Sequence, residues 1–137
     1  LDLYNGEIIA FKTARRPLFD MVGAMLRQAF ERLRPRDKPI LHSDQGWQYR
    51  MPIYRWVLNE RAVKPGMSRK GNCYDNAAME SFFGTLKSEF FYLNKFNSLD
   101  ELEAGIEGYI HYYNHSRIRL KLSGLSPVEY RTQARRA

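Results

Sequence analysis

Two carboxylates in the 137-residue sequence have a spacing and setting that suit metal-dependent chemistry. Asp44 follows a short apolar stretch, and Glu80 comes after 35 intervening residues, in the first turns of a predicted helix. Hard ions such as Mg²⁺ or Mn²⁺ prefer carboxylate oxygens, whereas histidine and cysteine suit zinc. A pair of such ions about 3.5–4 Å apart activates the attacking oxygen and stabilises the leaving oxygen in phosphodiester cleavage and transfer. The two residues therefore predict part of a metal site for that chemistry.

Cationic residues lie close to Glu80 in the sequence. Lys87 comes seven residues later, so both side chains fall on one face of the predicted helix, about two turns apart. The preceding segment at 65–74 contains glycines and cations without hydrophobic periodicity, which predicts a mobile basic loop. A helix N-terminus with flanking cations attracts phosphate. A phosphate-binding surface is therefore predicted from Lys87, Arg69, Lys70, Asn72 and Tyr74.

Each candidate also has a structural interpretation that the sequence leaves open. Asp44 stands in Ser-Asp-Gln-Gly, which is good turn chemistry. Glu80 would complement the helix dipole, and Lys87 would suit a solvated helix face. Cys73 has no cysteine or histidine near it in the sequence, so neither a zinc site nor a thiol nucleophile is favoured. His42 is interpreted as a packing residue at a strand end.

Hydrophobic spacing predicts the strands that position these residues. Residues 39–42 are predicted to form a buried strand that delivers Asp44 to the loop at its carboxyl end, where α/β sheets gather ligand sites. Another strand is predicted at 62–64. An Asn-Gly pair in the middle of residues 1–11, between apolar runs, predicts a tight hairpin.

Helices are predicted where apolar residues recur at i, i+3, i+4 and i+7. Asp75 is the predicted N-cap of the helix that carries Glu80. Two S-x-x-E capping boxes, beginning at Ser98 and Ser126, predict the starts of the last two helices. The predicted helices span 18–33, 53–60, 75–92, 98–113 and a short segment from 126.

Composition and charge narrow the class of protein. The chain has 22 basic and 15 acidic residues, a net charge of +7 and a pI near 9.7, which favours polyanions such as DNA or RNA, or anionic membranes. A hydrophobic fraction of 44% suffices for the core of one domain. No apolar stretch approaches the roughly 20 residues of a membrane span, and no signal peptide is recognisable. The single cysteine excludes an internal disulfide and fits a reducing cytoplasm.

Three segments carry a resemblance to a known family: HSDQGWQY (42–49), MSRKGNCYDNAAMESFFGTLKSE (67–89) and YIHYYNHSRIRLKLSGLSPVEYR (109–131). They resemble the DDE-type integrase core of bacterial insertion-sequence transposases, which is similar to retroviral integrase. The family pattern is Asp, Asp, then Glu, with the second Asp and the Glu separated as Asp44 and Glu80 are. A basic residue follows the Glu at the same distance as Lys87 follows Glu80. Asp44 matches the second Asp, Glu80 the Glu and Lys87 the basic position. The resemblance implies that Asp44 and Glu80 are catalytic and bind the metal ions.

The resemblance also implies an α/β fold, an RNase H-like integrase core with a mixed sheet flanked by helices. The family's first catalytic Asp belongs to a Trp-x-x-Asp motif that would precede Leu1, so the chain is expected to lack the first strand and most of the second. Asp2 lies in the wrong strand segment to replace that residue. Residues 1–137 are interpreted as a single partial catalytic core domain with a C-terminal helical extension from about 115.

The function implied by the resemblance is DNA transposition. The parent protein would cleave and join DNA strands with two Mg²⁺ or Mn²⁺ ions, and this fragment is expected to be inactive alone. A homo-oligomer is expected because the shortened sheet leaves an edge to cover, and the expected location is the bacterial cytoplasm, at the nucleoid. Two alternatives stay open: a non-catalytic remnant that binds nucleic acid, and an RNase H-type nuclease of RNA. The residues expected to bind DNA are Lys87, Lys64, Arg69, Lys70, Asn72 and Tyr74.

Overall fold

Two units make up the chain in the computed structural model: one is Ala10–Ala77, and the other is Leu1–Ile9 with Ala78–Ala137. The structure describes residues 1–16, 18–44, 46–67 and 77–136. The interpretation as one domain with an extension from about 115 stays a prediction. None of the helices in those described ranges combines the length and the apolar character that crossing a membrane requires.

Helices α1, Phe19–Phe30, and α3, Pro52–Glu60, build the core of the Ala10–Ala77 unit. On each helix the buried hydrophobic residues recur at every fourth position, so they share one face. The helices predicted at 18–33 and 53–60 are therefore confirmed over the ranges of α1 and α3. The buried cluster consists of Val22, Leu26, Phe30, Tyr54, Leu58 and Val63.

Strands β1, Ile40–Ser43, and β2, Lys64–Met67, form a two-stranded parallel sheet in which Ile40 pairs with Lys64. The prediction that the first of these strands is buried is wrong. Ile40 is 67% exposed, and Ser43 is the buried residue of β1. Among the described residues, β2 is the one strand that pairs with β1, and no strand pairs with the other edge of β1.

A tight turn after α3 displaces β2 from its predicted position at 62–64. Ala62 has a φ of 55°, in the left-handed region, which ends the helix and cannot continue a strand. Val63 is buried in the core, and β2 begins at Lys64. The basic loop predicted at 65–74 is therefore wrong over its first three residues, which belong to β2. The rest of that loop lies outside the described residues.

Helix α4, Ala77–Leu86, continues directly into a π-helix, Lys87–Phe91, and is followed by helix α5, Leu99–His115. The helix predicted at 75–92 is confirmed from Ala77 to Phe91. Its predicted cap, Asp75, lies outside the described residues. A π-helical turn inside an α-helix is rare and is often found at functional sites.

Both predicted capping boxes begin helices. Ser98 Oγ accepts a hydrogen bond from Glu101 N–H at 3.1 Å at the start of α5. Ser126 Oγ accepts one from Glu129 N–H at 3.4 Å, and the Glu129 carboxylate accepts one from Ser126 N–H at 3.0 Å. This reciprocal pair begins helix α6, Pro127–Arg136. The predicted helices at 98–113 and from 126 are thus confirmed, with the start mechanism that the sequence indicates.

Residues 1–11, all of which the structure describes, form the predicted turn but not the predicted pair of strands. The turn closes with a hydrogen bond of 2.8 Å from Gly6 N–H to the Asp2 carbonyl. Further along, a side chain takes the place of a partner strand. The Asn114 amide on α5 accepts from Ile8 N–H at 2.8 Å and donates to the Ile8 carbonyl at 3.0 Å. Both backbone groups of Ile8 are therefore satisfied without a sheet.

Candidate active site

Asp44 is an exposed carboxylate at the carboxyl end of β1. Its Oδ1 accepts a hydrogen bond of 2.7 Å from Gly46 N–H, and the Ser43 hydroxyl donates to the Asp44 carbonyl at 3.0 Å. A Cβ added at Gly46 would lie 2.9 Å from Asp44 Oδ1, which is too close for a side-chain carbon. The predicted turn chemistry is therefore present. It orients an exposed carboxylate at the edge of the sheet where ligand sites gather.

Two aromatic residues of a short helix, α2 at Trp47–Arg50, closely follow Asp44. Burial, followed by the negative charge of Asp44, raises the pKa of the Tyr49 hydroxyl, so this phenol stays neutral. Trp47 is 52% exposed. The helix was not predicted, because four residues are too few to show a hydrophobic period, and no sequence signal reveals the proximity of Tyr49 to Asp44.

Glu80 and Lys87 are both exposed, as their spacing on one helix face predicts. Glu80 lies in the first turn of α4, and Lys87 is the first residue of the π-helix. The buried side chain between them is Phe82, whose ring makes an edge-to-face contact with Tyr113 at 5.0 Å. Burial of Phe82 against α5 leaves the opposite face of α4, with Glu80, toward solvent.

Asp44 and Glu80 belong to different units of the chain, Asp44 to Ala10–Ala77 and Glu80 to the other unit. No group of three or more histidine, cysteine, aspartate or glutamate residues that could hold a metal ion occurs within the parts of the chain that the structure describes. The shared role of Asp44 and Glu80 at a metal therefore stays a prediction.

The predicted DNA-contacting residues other than Lys87 fall into two groups. Lys64 is exposed and begins β2. The others come from the part of the sequence outside the described residues: Arg69, Lys70, Asn72 and Tyr74, with Cys73 among them.

A third carboxylate, Glu89 in the π-helix, takes part in a polar network that the sequence did not reveal. Arg117 donates to both Glu89 oxygens at 2.6–3.0 Å, and the Tyr109 hydroxyl donates to Glu89 Oε2 at 2.7 Å. Hydrogen bonds from Arg117 hold the pKa of Glu89 below its usual value, and burial with the Glu89 contact raises the pKa of Tyr109. Glu89 is therefore an ionised carboxylate that ties the π-helix to α5.

We expect Arg117→Gln to destabilise the protein near neutral pH and to have a smaller effect in acid. The ordinary pKa of this carboxyl is 4.5, and the folded-state pKa of Glu89 is lower. The stabilisation is therefore fully present above about pH 4.5 and is lost as the pH falls through the lowered folded pKa. Urea unfolding of both proteins between about pH 7 and about pH 3 should give free energies that converge in acid. A difference that is the same at every pH would contradict the ion pair.

Known proteins resemble the chain over nearly its whole length. Two family models, both described as integrase core domain, match residues 1–73 and 80–134. InsK for insertion sequence element IS150 of Escherichia coli (strain K12) is 56% identical over 97% of this chain and 47% of InsK. A transposase-like protein of Haemophilus influenzae is 56% identical over 97% of this chain and 61% of the relative. A transposase for insertion sequence element IS904 of Lactococcus lactis is 35% identical over 95% of this chain and 52% of the relative.

The chain thus spans about half the length of these relatives. A cryo-EM structure of the simian T-cell lymphotropic virus intasome in complex with PP2A regulatory subunit B56 gamma matches with a TM-score of 0.63, over 77% of this chain and 37% of that chain. At 18% identity this likeness concerns the fold alone, and it confirms the predicted RNase H-like integrase core. Since one family model covers residues 1–73 and the relatives align with nearly all of the sequence, the chain belongs to the integrase core family of insertion-sequence transposases.

Proposed function

We propose that this chain is part of a protein that cleaves and joins DNA strands in transposition by metal-dependent phosphoryl transfer. The observation that carries the proposal is the position of the two integrase core matches. The first, over residues 1–73, contains Asp44, and the second, over 80–134, begins at Glu80. Relatives that are named as a transposase and as a transposase-like protein support the same activity. The net charge of +7 is positive, as a surface that binds the DNA phosphate backbone needs.

Asp44 and Glu80 are the proposed ligands of Mg²⁺ or Mn²⁺. Both are exposed carboxylates; Asp44 is oriented by Gly46 N–H, and Glu80 is carried by α4. This donor chemistry fits hard divalent ions, which take oxygen ligands and keep several waters. Two bound ions would supply activation of the attacking oxygen and stabilisation of the leaving oxygen. The contribution of the chain would be to supply the two carboxylates, Asp44 directly after β1 and Glu80 in the first turn of α4.

The neutral Tyr49 hydroxyl and the exposed Lys87 ammonium have supporting roles in this proposal. Tyr49 lies in the field of Asp44 and adds no second negative charge beside it. Lys87 is exposed about two turns beyond Glu80 along the helix, where its ammonium group would bind a DNA phosphate as a point charge. The further proposed DNA contacts are Lys64, Arg69, Lys70, Asn72 and Tyr74.

A third carboxylate is expected to complete the site, since two ions are usually held by three. The residues of this chain match two of the three carboxylates of the family pattern, and we propose that they do not catalyse strand transfer alone. We also propose that the protein works as a homo-oligomer on DNA, in the bacterial cytoplasm at the nucleoid. An assembly of several copies would cover the sheet edge that the shortened fold is expected to leave bare.

A chimera tests this function directly. In the InsK chimera, the 133 matched residues of InsK are replaced by the corresponding residues of this chain. With Mg²⁺ or Mn²⁺ and DNA that carries the ends of IS150, the chimera should transfer strands, because the segment inserted from this chain supplies Asp44 and Glu80. The chain alone should bind DNA in a salt-sensitive manner but transfer no strands. Chelation of the metal should abolish strand transfer by the chimera.

Intact InsK serves as the positive control for DNA and assay. A chimera that folds, assembles and binds the IS150 ends as InsK does, yet transfers no strands, would overturn the assignment of catalysis to this chain. That outcome would favour the non-catalytic nucleic-acid-binding interpretation. Cleavage of RNA in RNA–DNA hybrids without strand transfer would instead favour the RNase H-type nuclease.

A further inference from the structure

Helix α5 presents two histidines to solvent on one face. His111 and His115 are four residues apart, so their side chains lie one above the other on the helix surface. Their rings are stacked, with centroids 4.5 Å apart and planes at 30°. Both side chains are exposed, and among the described residues neither imidazole has a hydrogen-bond or ion-pair partner. The pair is thus available to a ligand on the solvent side of α5.

Two imidazoles in this arrangement match the needs of a transition-metal ion. A Zn²⁺–nitrogen bond is about 2.0–2.1 Å, so two nitrogens on one ion lie about 3 Å apart. Rings with centroids 4.5 Å apart reach that separation by small side-chain rotations. Histidines at i and i+4 on one helix face are a recurring zinc-binding arrangement. Imidazole favours Zn²⁺, Ni²⁺ and Cu²⁺ over Mg²⁺.

We propose that His111 and His115 form a binding site for one divalent transition-metal ion, with water completing its coordination. The site uses neither Asp44 nor Glu80, and it selects a different class of ion. Its existence is therefore independent of the proposed function. Glu107, one turn before His111 on the same face and also exposed, adds a negative charge that attracts the cation.

The opposite face of α5 holds the two histidines in place. Tyr109, Ile110, Tyr113 and Asn114 are buried, and the Asn114 amide is bonded to both backbone groups of Ile8. The helix therefore cannot rotate to bury the histidines without losing these contacts. Because the backbone is ordered before binding, the second imidazole costs little conformational entropy when the ion is already held by the first.

Calorimetric titration of the untagged chain with NiCl₂ tests the site. The expected result is one Ni²⁺ per chain, with affinity at least about 100-fold weaker in His111→Ala and in His115→Ala, since each variant loses chelation by two linked ligands. His42→Ala is the matched control, because it removes the other histidine of the sequence, in the Ala10–Ala77 unit, and should leave the affinity unchanged. MgCl₂ should not compete.

Thermal unfolding gives a second measurement that does not depend on heats of binding. Ni²⁺ should raise the unfolding midpoint of the wild-type chain and not that of the His111→Ala/His115→Ala double variant, because an ion stabilises only the state that binds it. Alanine at these exposed helical positions favours α5, so the variants should fold. Stoichiometric Ni²⁺ binding by the double variant, or unchanged binding by either single variant, would overturn the proposal and direct attention to another ligand such as Cys73.

Discussion

Asp44→Asn should reduce strand transfer by the InsK chimera at least about 10³-fold, which corresponds to about 4 kcal/mol of transition-state stabilisation. The substitution removes the negative charge that a metal ligand needs and keeps the shape of the side chain. Asparagine retains an Oδ1 acceptor for the Gly46 N–H, which donates to Asp44 at 2.7 Å. The local turn should therefore survive, and the loss of activity should come from the lost charge.

The same design separates the two interpretations of Asp44. If Asp44 only shapes the turn, Asn performs that role equally well and activity should persist. If Asp44 binds a metal ion, the neutral amide should fail at every Mg²⁺ concentration that supports the unsubstituted chimera. The unfolding midpoint of both proteins, measured without metal, should agree closely, which would exclude misfolding as the cause.

Glu80→Gln should give a loss of the same size, and the double variant should be little worse than either single variant. Groups that act as one unit in catalysis lose their joint effect when any member is removed. Asp20→Asn and Glu107→Gln are matched controls, since both are exposed carboxylates on helices and neither is proposed to bind the catalytic metal. Losses that multiply in the double variant, or a control as damaging as Asp44→Asn, would contradict the shared site.

Local sequence rules predicted the helices well because their determinants lie within a few residues. The N-caps at Ser98 and Ser126 each accept a hydrogen bond from the N–H of a glutamate three residues later, and both bonds form. Apolar residues at every fourth position define the buried face of α1 before any partner is known. The exposure of Glu80 and Lys87 follows from the same period, since Phe82 takes the buried direction.

Long-range contacts account for what the sequence could not predict. Residues 7–11 have the pattern of a strand, but Ile8 is paired by the side chain of Asn114, 106 residues away. The Arg117–Glu89 pair spans 28 residues and gives no local signal. Exposure of Ile40 depends on which strands lie beside β1, which a short apolar run does not reveal. Spacing could identify Asp44 and Glu80 as candidates, whereas the influence of Asp44 on the pKa of Tyr49 depends on the folded arrangement of this segment.

Arg131→Met should destabilise the unit that contains Leu1–Ile9 by about 3–5 kcal/mol. Arg131 on α6 forms ion pairs with Asp2 and with Glu7, the latter at 3.4 Å, and donates to Asn5 Oδ1 at 3.1 Å. The Glu7 side chain is only 6% exposed. Methionine keeps most of the aliphatic volume but removes the Arg131 cation from beside Asp2 and the buried Glu7 carboxylate, and losing one charge of a buried ion pair is strongly destabilising.

Urea unfolding followed by far-UV circular dichroism measures this loss. Both tryptophans of the sequence, Trp47 and Trp56, lie in the Ala10–Ala77 unit, so tryptophan emission reports on a part of the chain without the substitution. Arg34→Met is the matched control. Arg34 is 77% exposed and pairs with Asp37 at 3.5 Å, so its loss should stay below about 1 kcal/mol.

A double-mutant cycle identifies the cause of the destabilisation. If the buried charge of Glu7 is responsible, Glu7→Gln should partly rescue Arg131→Met, and the double variant should be more stable than the sum of the single effects by about 1–3 kcal/mol. Simple additivity would mean that Arg131 acts through its packing and through Asp2 and Asn5. The Arg131 contacts connect residues 2–7 to α6 in place of the strand pairing that the sequence predicts there. A loss below about 1 kcal/mol would show that this segment is held by the Asn114 amide and the apolar contacts of Ile8 instead.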